Sequence, residues 1–342
     1  MPLPASHPTR RTRPLRAVVA TVALALAGSA VVAAPAQAAP PRAVALGDSF
    51  ASGEGLAPYR AGTDTATNRC HRSPLAYPEL LDEGRRPAVR RIRSVACSGA
   101  VTGDVVADLR PGDGVPAQVT ALSRRTRTVT LTVGGNDVGF ASVLGACTYT
   151  PVPELQAVVP GRPGCRELLD GRVAAATAGL AGAAPTGPGR LSLAQVLVEV
   201  QRRAPRAQVY VTGYPRLFGL TGFDTYGCRV GSVQAGAVQA PLYVSGADVR
   251  WIRSKADGLN AALRTGVEQA RHRGVRATFV DVADAFTSHN VCGSGARWLN
   301  GVLLTSTTPL QPDPATFHPN ARGQQAYATA VAAAIRGHRP RT

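Results

Sequence analysis

Apolar runs too short for helices alternate along this chain with longer segments of helical period. Ala43-Val-Ala-Leu46 is apolar at every position, the pattern of a parallel strand buried on both faces. The runs over 128–133, 208–212 and 277–282 read as further strands, with a weaker one over 90–95. Between them, Leu193, Val196, Leu197 and Val200 recur at i, i+3, i+4 and i+7, which predicts a helix. Ser192 with Gln195 forms its capping box, and Leu191 can staple to Val196. Leu259, Leu263 and Val267 mark a second helix stopped by Gly274, and Ala328, Val331, Ala332 and Ile335 mark a third at the C-terminus. Strands alternating with helices imply an α/β fold with a mostly parallel sheet covered on both faces. Two stretches fit no period. Residues 181–189 read as a flexible loop, and 213–249, rich in Gly, Tyr and Val, as a long excursion over the strand ends that shapes a substrate cleft.

The first 38 residues stand outside that pattern. Arg10, Arg11, Arg13 and Arg16 precede an apolar stretch from Ala17 to about Ala34, and Ala36-Gln-Ala38 supplies the small residues of a cleavage site. This is the order of a secretory signal peptide. The chain is therefore expected to be exported, cleaved near Ala38 and folded as one domain over 39–342. Six cysteines in an exported chain favour three disulfides. No CxxC spacing exists, which argues against structural zinc; no metal and no cofactor are expected. Removal of the leader leaves 34 basic against 21 acidic residues, a net +13, with Lys255 the only lysine. Such a field suits an anionic lipid surface as partner. The arginines read as scattered and aromatic residues make up only 5%, which excludes a nucleic-acid binder. A monomer is expected.

Candidate chemistry concentrates in Gly47-Asp-Ser-Phe-Ala-Ser-Gly-Glu-Gly55. Ser49 falls at the carboxyl end of the first strand, where open α/β sheets bind ligands. These residues fit either an ordinary turn or a nucleophilic serine. A nucleophile needs a base. His7 leaves with the leader, His71 lies in a polar loop, and His272 and His338 lie in basic stretches. His289 and His318 remain, and Pro319-Asn320 fixes His318 where the last helix begins. Gly99 and Asn136 each follow a predicted strand, so both can meet Ser49 at one edge as oxyanion donors. No G-x-S-x-G elbow exists anywhere, which excludes an α/β-hydrolase.

Gly47-Asp-Ser-Phe50, Cys97-Ser-Gly99, Gly134-Gly-Asn-Asp137 and Phe317-His-Pro-Asn320 follow the order of the four blocks of the SGNH hydrolases, also called GDSL esterases and lipases. The chain resembles that family from about Ala43 to Ile335. It resembles the secreted actinobacterial, three-disulfide branch further at Phe286-x-x-His289-x-x-Cys292 and Trp298-Leu-Asn-Gly301. The resemblance implies a three-layer α/β/α, flavodoxin-like fold and hydrolysis of acyl esters of lipids or small alcohols. It implies Ser49 as nucleophile, His318 as general base, and an oxyanion hole made by the Ser49 and Gly99 N–H groups and the Asn136 amide. Disulfides Cys70–Cys97, Cys147–Cys165 and Cys228–Cys292 are implied as well. A sugar deacetylase or a phospholipase is the alternative on the same site, and a non-catalytic surface-binding protein the rival from another class.

Many members carry an aspartate three residues before the histidine, where this chain has Ala315. The resemblance therefore favours a dyad in which the Ala315 carbonyl orients His318, over a triad through Asp313. Asp48, as the neighbour of Ser49, is badly placed to orient a histidine across the cleft. An aspartate to asparagine change in a true triad costs about 10⁴-fold in kcat. Asp313→Asn is expected to leave hydrolysis of a short nitrophenyl ester within about tenfold of wild type; a loss of several orders of magnitude in a folded variant restores the triad.

Overall fold

Strands that are apolar throughout need cover on both faces, and the fold supplies it. The computed structural model describes residues 42–108, 114–184, 187–293, 295–307 and 310–338. The expected leader lies outside the described residues, as do two positions of the 181–189 loop. Strand β1 (Ala43–Gly47), buried at all five positions, leads through α1 (Ser49–Ser52) and α2 (Tyr77–Leu80) to β2 (Ile92–Ser94). Then come α3 (Thr102–Val106), β3 (Thr128–Thr132), α4 (Phe140–Cys147), α5 (Cys165–Leu180), α6 (Leu193–Arg203) and β4 (Gln208–Thr212). A hairpin of β5 (Cys228–Ala235) and β6 (Val238–Val244) precedes α7 (Gly246–His272) and β7 (Ala277–Val280). The hairpin β8 (Leu304–Thr307) with β9 (Leu310–Pro312) and helix α8 (Ala321–Gly337) complete the order.

The central sheet runs β2-β1-β3-β4-β7, all parallel. This is the flavodoxin-like order, in which the chain reverses direction across the sheet at β1 and β3 and leaves a crevice beyond their carboxyl ends. The strand period of two divides the core. Val44, Leu46, Val129, Leu131, Val209 and Val211 point into one layer with the apolar stripes of α6 and α7. Ala43 and Tyr210 point into the other, with Tyr77 of α2 and Tyr327 and Val331 of α8. On that second face the Tyr77 hydroxyl lies 2.9 Å from Thr132 Oγ1, which lies 2.6 Å from Thr212 Oγ1. A buried hydroxyl ladder thus satisfies Thr132 and Thr212, on strands otherwise rich in valine.

Three elements differ from the periodic reading. The 213–249 excursion holds the β5–β6 hairpin, whose register shifts between Arg229 and Gly231 and so hides the alternation. Helix α7 starts at Gly246, well ahead of Leu259. Its first turn buries Asp248, which accepts from Gly164 N at 2.8 Å and from the Ser245 hydroxyl at 2.5 Å, a charge in a core position that breaks the apolar stripe. Helix α5 carries little period of its own and is held by packing on α4 and α7.

Cys70–Cys97, Cys147–Cys165 and Cys228–Cys292 are bonded. The second joins α4 to α5 across 18 residues of sequence, and the third ties the β5–β6 hairpin to the 281–303 region across 64. Closing the longer loop removes more entropy from the unfolded chain, by about 1 kcal/mol on the chain-entropy account. Replacing Cys228 and Cys292 by serine is therefore expected to lower the urea unfolding free energy by about 1 kcal/mol more than replacing Cys147 and Cys165.

Candidate active site

Strand β1 stops because Gly47 turns the chain. Its φ of 139° is open to glycine, and a Cβ there would run into the Thr132 carbonyl of β3. Asp48 then caps α1, accepting from Phe50 N at 3.0 Å, and so sets Ser49 at the first position of a one-turn helix over the sheet's carboxyl edge. Burial raises the Asp48 carboxyl to about 7, against hydrogen bonds from the Tyr214 hydroxyl and Phe50 N that favour the charged form. Tyr214 also accepts from Gly135 N at 3.0 Å, which ties the Asp48 turn to the loop after β3. Asp48 is thus a structural cap and not a partner of the histidine.

His318 comes from the other end of the chain and lies with Nε2 2.8 Å from Ser49 Oγ. Asn320 caps α8 through Arg322 N and Gly323 N, fixing where the loop ends. Asn300 latches the loop itself: its backbone N donates to His318 O and its side chain to Ala315 O. The loop approaches so closely that a Cβ at Gly55, whose φ is 83°, would collide with Ala315. The His318 pKa is lowered, chiefly because the ring is buried; Glu54 and the carbonyls of Pro314 and Thr316 act the other way, favouring the protonated ring.

The Ala315 carbonyl accepts from His318 N at 3.0 Å and from Asn300 Nδ2 at 3.1 Å, a tight turn that directs it to backbone and amide. Among the described residues the buried His318 Nδ1 has no hydrogen-bond partner. Asp313 accepts from Ala315 N at 2.7 Å and serves to shape the same turn.

Gly99 and Asn136 line the same cavity as Ser49 and His318. Among the described residues no protein group takes up the N–H of Ser49 or of Gly99. One N–H of the Asn136 amide donates to Ala100 O at 3.0 Å, leaving its second for a ligand. Asp137 accepts from Thr102 N and Oγ1, so the loops after β2 and β3 are locked together at two successive residues.

Glu54 is the residue that the periodic reading passed over. It is 4% exposed, and its carboxylate lies 2.7 Å from His71 Nδ1, accepts from the Tyr59 hydroxyl at 3.1 Å and takes the Ser98 hydroxyl. Tyr59 stacks on His71, and Cys70 beside His71 is bonded to Cys97 beside Ser98. One buried carboxylate therefore joins the loop after Ser49 to the loop that carries Gly99. The signal was an acid between two glycines, Gly53 and Gly55, in the same motif as Ser49. His289, in contrast, stacks on Trp298 with ring centroids 3.8 Å apart and is a packing residue.

The cavity has a volume of about 610 Å³, and its far walls are apolar, with Phe140, Leu144, Leu217, Leu242, Leu304 and Leu310 among them. A serine–histidine pair at the carboxyl edge of a flavodoxin-like sheet, beside such a cavity, belongs to the carboxylic ester hydrolases. The sequence pattern of the GDSL-like Lipase/Acylhydrolase family matches residues 45–326. A lipase of Streptomyces rimosus is 34% identical over 317 residues, 92% of this chain and 94% of that protein. The crystal structure of the extracellular lipase from Streptomyces rimosus superimposes with a TM-score of 0.59 at 32% identity, covering 86% of this chain and 99% of that one. That of phospholipase A1 from Streptomyces albidoflavus gives 0.57 at 33% identity with the same coverage. The chain belongs to the GDSL-like lipase/acylhydrolase family.

Because burial lowers the His318 pKa while Glu54 opposes it, the ring is expected to titrate below pH 6.5 in a proton NMR experiment. Glu54→Gln removes the opposing charge and should move that midpoint further down; an upward move contradicts the assignment of charges.

Proposed function

We propose that this carboxylic ester hydrolase is an exported lipase that cleaves medium- and long-chain acyl esters through an acyl-enzyme on Ser49. The observation that carries the reading is the 2.8 Å contact between Ser49 Oγ and His318 Nε2 at the mouth of an apolar cavity. Ser49 Oγ bonds to the ester carbonyl carbon as its proton passes to His318 Nε2. The resulting oxyanion takes hydrogen bonds from the Ser49 and Gly99 N–H groups and the Asn136 amide. Its collapse breaks the carbon–oxygen bond of the ester, and His318 gives its proton to the departing alcohol. Water then attacks the acyl-enzyme with His318 as base, and the acid leaves with Ser49 restored.

A dyad must hold the imidazolium without a carboxylate on Nδ1. Here the nearby Glu54 charge favours the protonated ring. Glu54 also holds Ser98 and thereby the position of Gly99 N. The apolar walls favour a fatty acyl chain over the acetyl group of a sugar ester, since each methylene buried contributes ~0.8 kcal/mol, about fourfold in binding. Two relatives point the same way: one is a lipase and another a phospholipase A1. Export rests on the leader read from the sequence, together with an extracellular lipase among the relatives.

With a nitrophenyl ester series, kcat/KM is expected to rise with acyl length. Leu304→Ser with Leu310→Ser should flatten that rise while leaving acetate hydrolysis near wild type. Ser49→Ala should lower kcat by at least about 10³-fold and abolish fluorophosphonate labelling. Asn136→Ala should cost about 10²–10³-fold. Undiminished turnover in folded Ser49→Ala removes the proposed nucleophile.

A further inference from the structure

The arginines that read as scattered along the sequence are gathered by the topology. All five strands of the central sheet are parallel, so all five begin at one edge, opposite the edge that carries Ser49. Arg91, Arg42, Arg127 and Arg276 immediately precede β2, β1, β3 and β7, and Arg206 stands two residues before β4. In sheet order the row is Arg91, Arg42, Arg127, Arg206, Arg276. Neighbouring strands lie ~4.8 Å apart, so the row extends over about 19 Å. All five residues are exposed.

Beneath this row is a cleft of about 590 Å³ in which Arg42 and Arg127 are joined by Arg85, Arg86, Arg90 and Arg336. Carboxylates do stand in the neighbourhood, but they are engaged elsewhere. Asp82 accepts from the backbone N of Arg91 and Ile92, and Glu199 pairs with Arg202 and Arg203. Among the described residues none of the row or cleft arginines makes an ion pair. Helix C-termini favour cations through the helix dipole, which accounts for Arg202, Arg271 and Arg336 near the ends of α6, α7 and α8. That account does not reach Arg42, Arg91, Arg127 or Arg276, which lie outside helices. Collecting uncompensated like charges costs stability, and a counter-anion relieves it.

We propose that this sheet edge is a binding site for a linear phosphate-bearing polymer, which tethers the enzyme with its catalytic mouth facing away. Guanidinium groups bind phosphate in a bidentate fork, and a row of them suits an extended chain of repeating charges. A membrane surface fits less well. Interfacial binding needs apolar side chains beside the basic ones, and the exposed large apolar residues Leu75, Leu168, Val198, Leu220, Tyr226, Val238 and Leu303 are not among the residues of the row or the cleft. Binding at this edge would also turn Ser49 from the bilayer, by the length of β1.

The test uses the secreted full-length protein and long-chain inorganic polyphosphate, with binding followed by fluorescence anisotropy across a salt series. Arg42→Gln/Arg127→Gln/Arg276→Gln is expected to weaken binding at least tenfold at low salt and to flatten the slope of log Kd against log salt by about 2. Its hydrolysis of a soluble nitrophenyl ester should be unchanged, which also reports that the variant is folded. Arg162→Gln/Arg229→Gln/Arg250→Gln removes the same charge from exposed positions elsewhere and is expected to keep wild-type affinity. Equal loss in both variants would mean that net charge alone binds the polymer and would overturn the site. So would unchanged binding in the first variant, or tighter binding to phosphatidylglycerol vesicles than to polyphosphate.

Discussion

The close approach of β1 to β3 at Gly47 and Thr132 is the constraint on which the site depends. The two strands pair in register through Gly47↔Thr132, and the space beside Gly47 admits no Cβ. That contact lets Asp48 N donate to the Thr132 carbonyl at 2.8 Å and throws the next residues into a one-turn helix across the sheet edge. It also lies at the point where the strand order reverses, so the crevice and the serine coincide. Gln118 closes the turn from below, exchanging hydrogen bonds of 2.7 and 2.9 Å with Gly47. A larger residue at 47 would displace Ser49 before any effect on the core was felt.

Around that fixed point, separate loops are held by buried polar groups, not by packing alone. Asp48 and Tyr214 join the serine turn to the loop after β3; Asn136 and Asp137 join that loop to the one after β2; Glu54 joins the latter back to the serine loop. The three links form a closed ring about the cavity. Each buried group in it is satisfied by a partner on another loop, so losing one leaves a neighbour unpaired and costs more than the bond itself. Asn300 does the same for the histidine loop, which has no strand to hold it. Ring and latch explain how a loop histidine 269 residues from the serine meets it at 2.8 Å.

The arginine row and the catalytic edge are consequences of one fact, the parallel direction of the strands. Parallel strands give a sheet two chemically distinct ends. One end collects the turns that follow strands, rich in Gly, Asp, Asn and Ser; the other collects the residues that precede them, which in this chain are arginines.

The strands over 43–47, 128–132, 208–212 and 277–280, the cap at Ser192 and the C-terminal helix were legible in the sequence because each is a local pattern of burial or capping. The positions of Ser49, Gly99, Asn136 and His318 at strand ends or ahead of a helix were legible for the same reason. The β5–β6 hairpin and the start of α7 were not, since a bulge at Gly231 and a buried Asp248 break their periods and only tertiary partners satisfy them. Glu54, Tyr214 and Asn300 carry polar groups whose meaning is set by what lies across the cleft. Local patterns are written in neighbouring residues; the closing of a ring between distant loops, and the gathering of arginines at one edge, come into being only when the strands align.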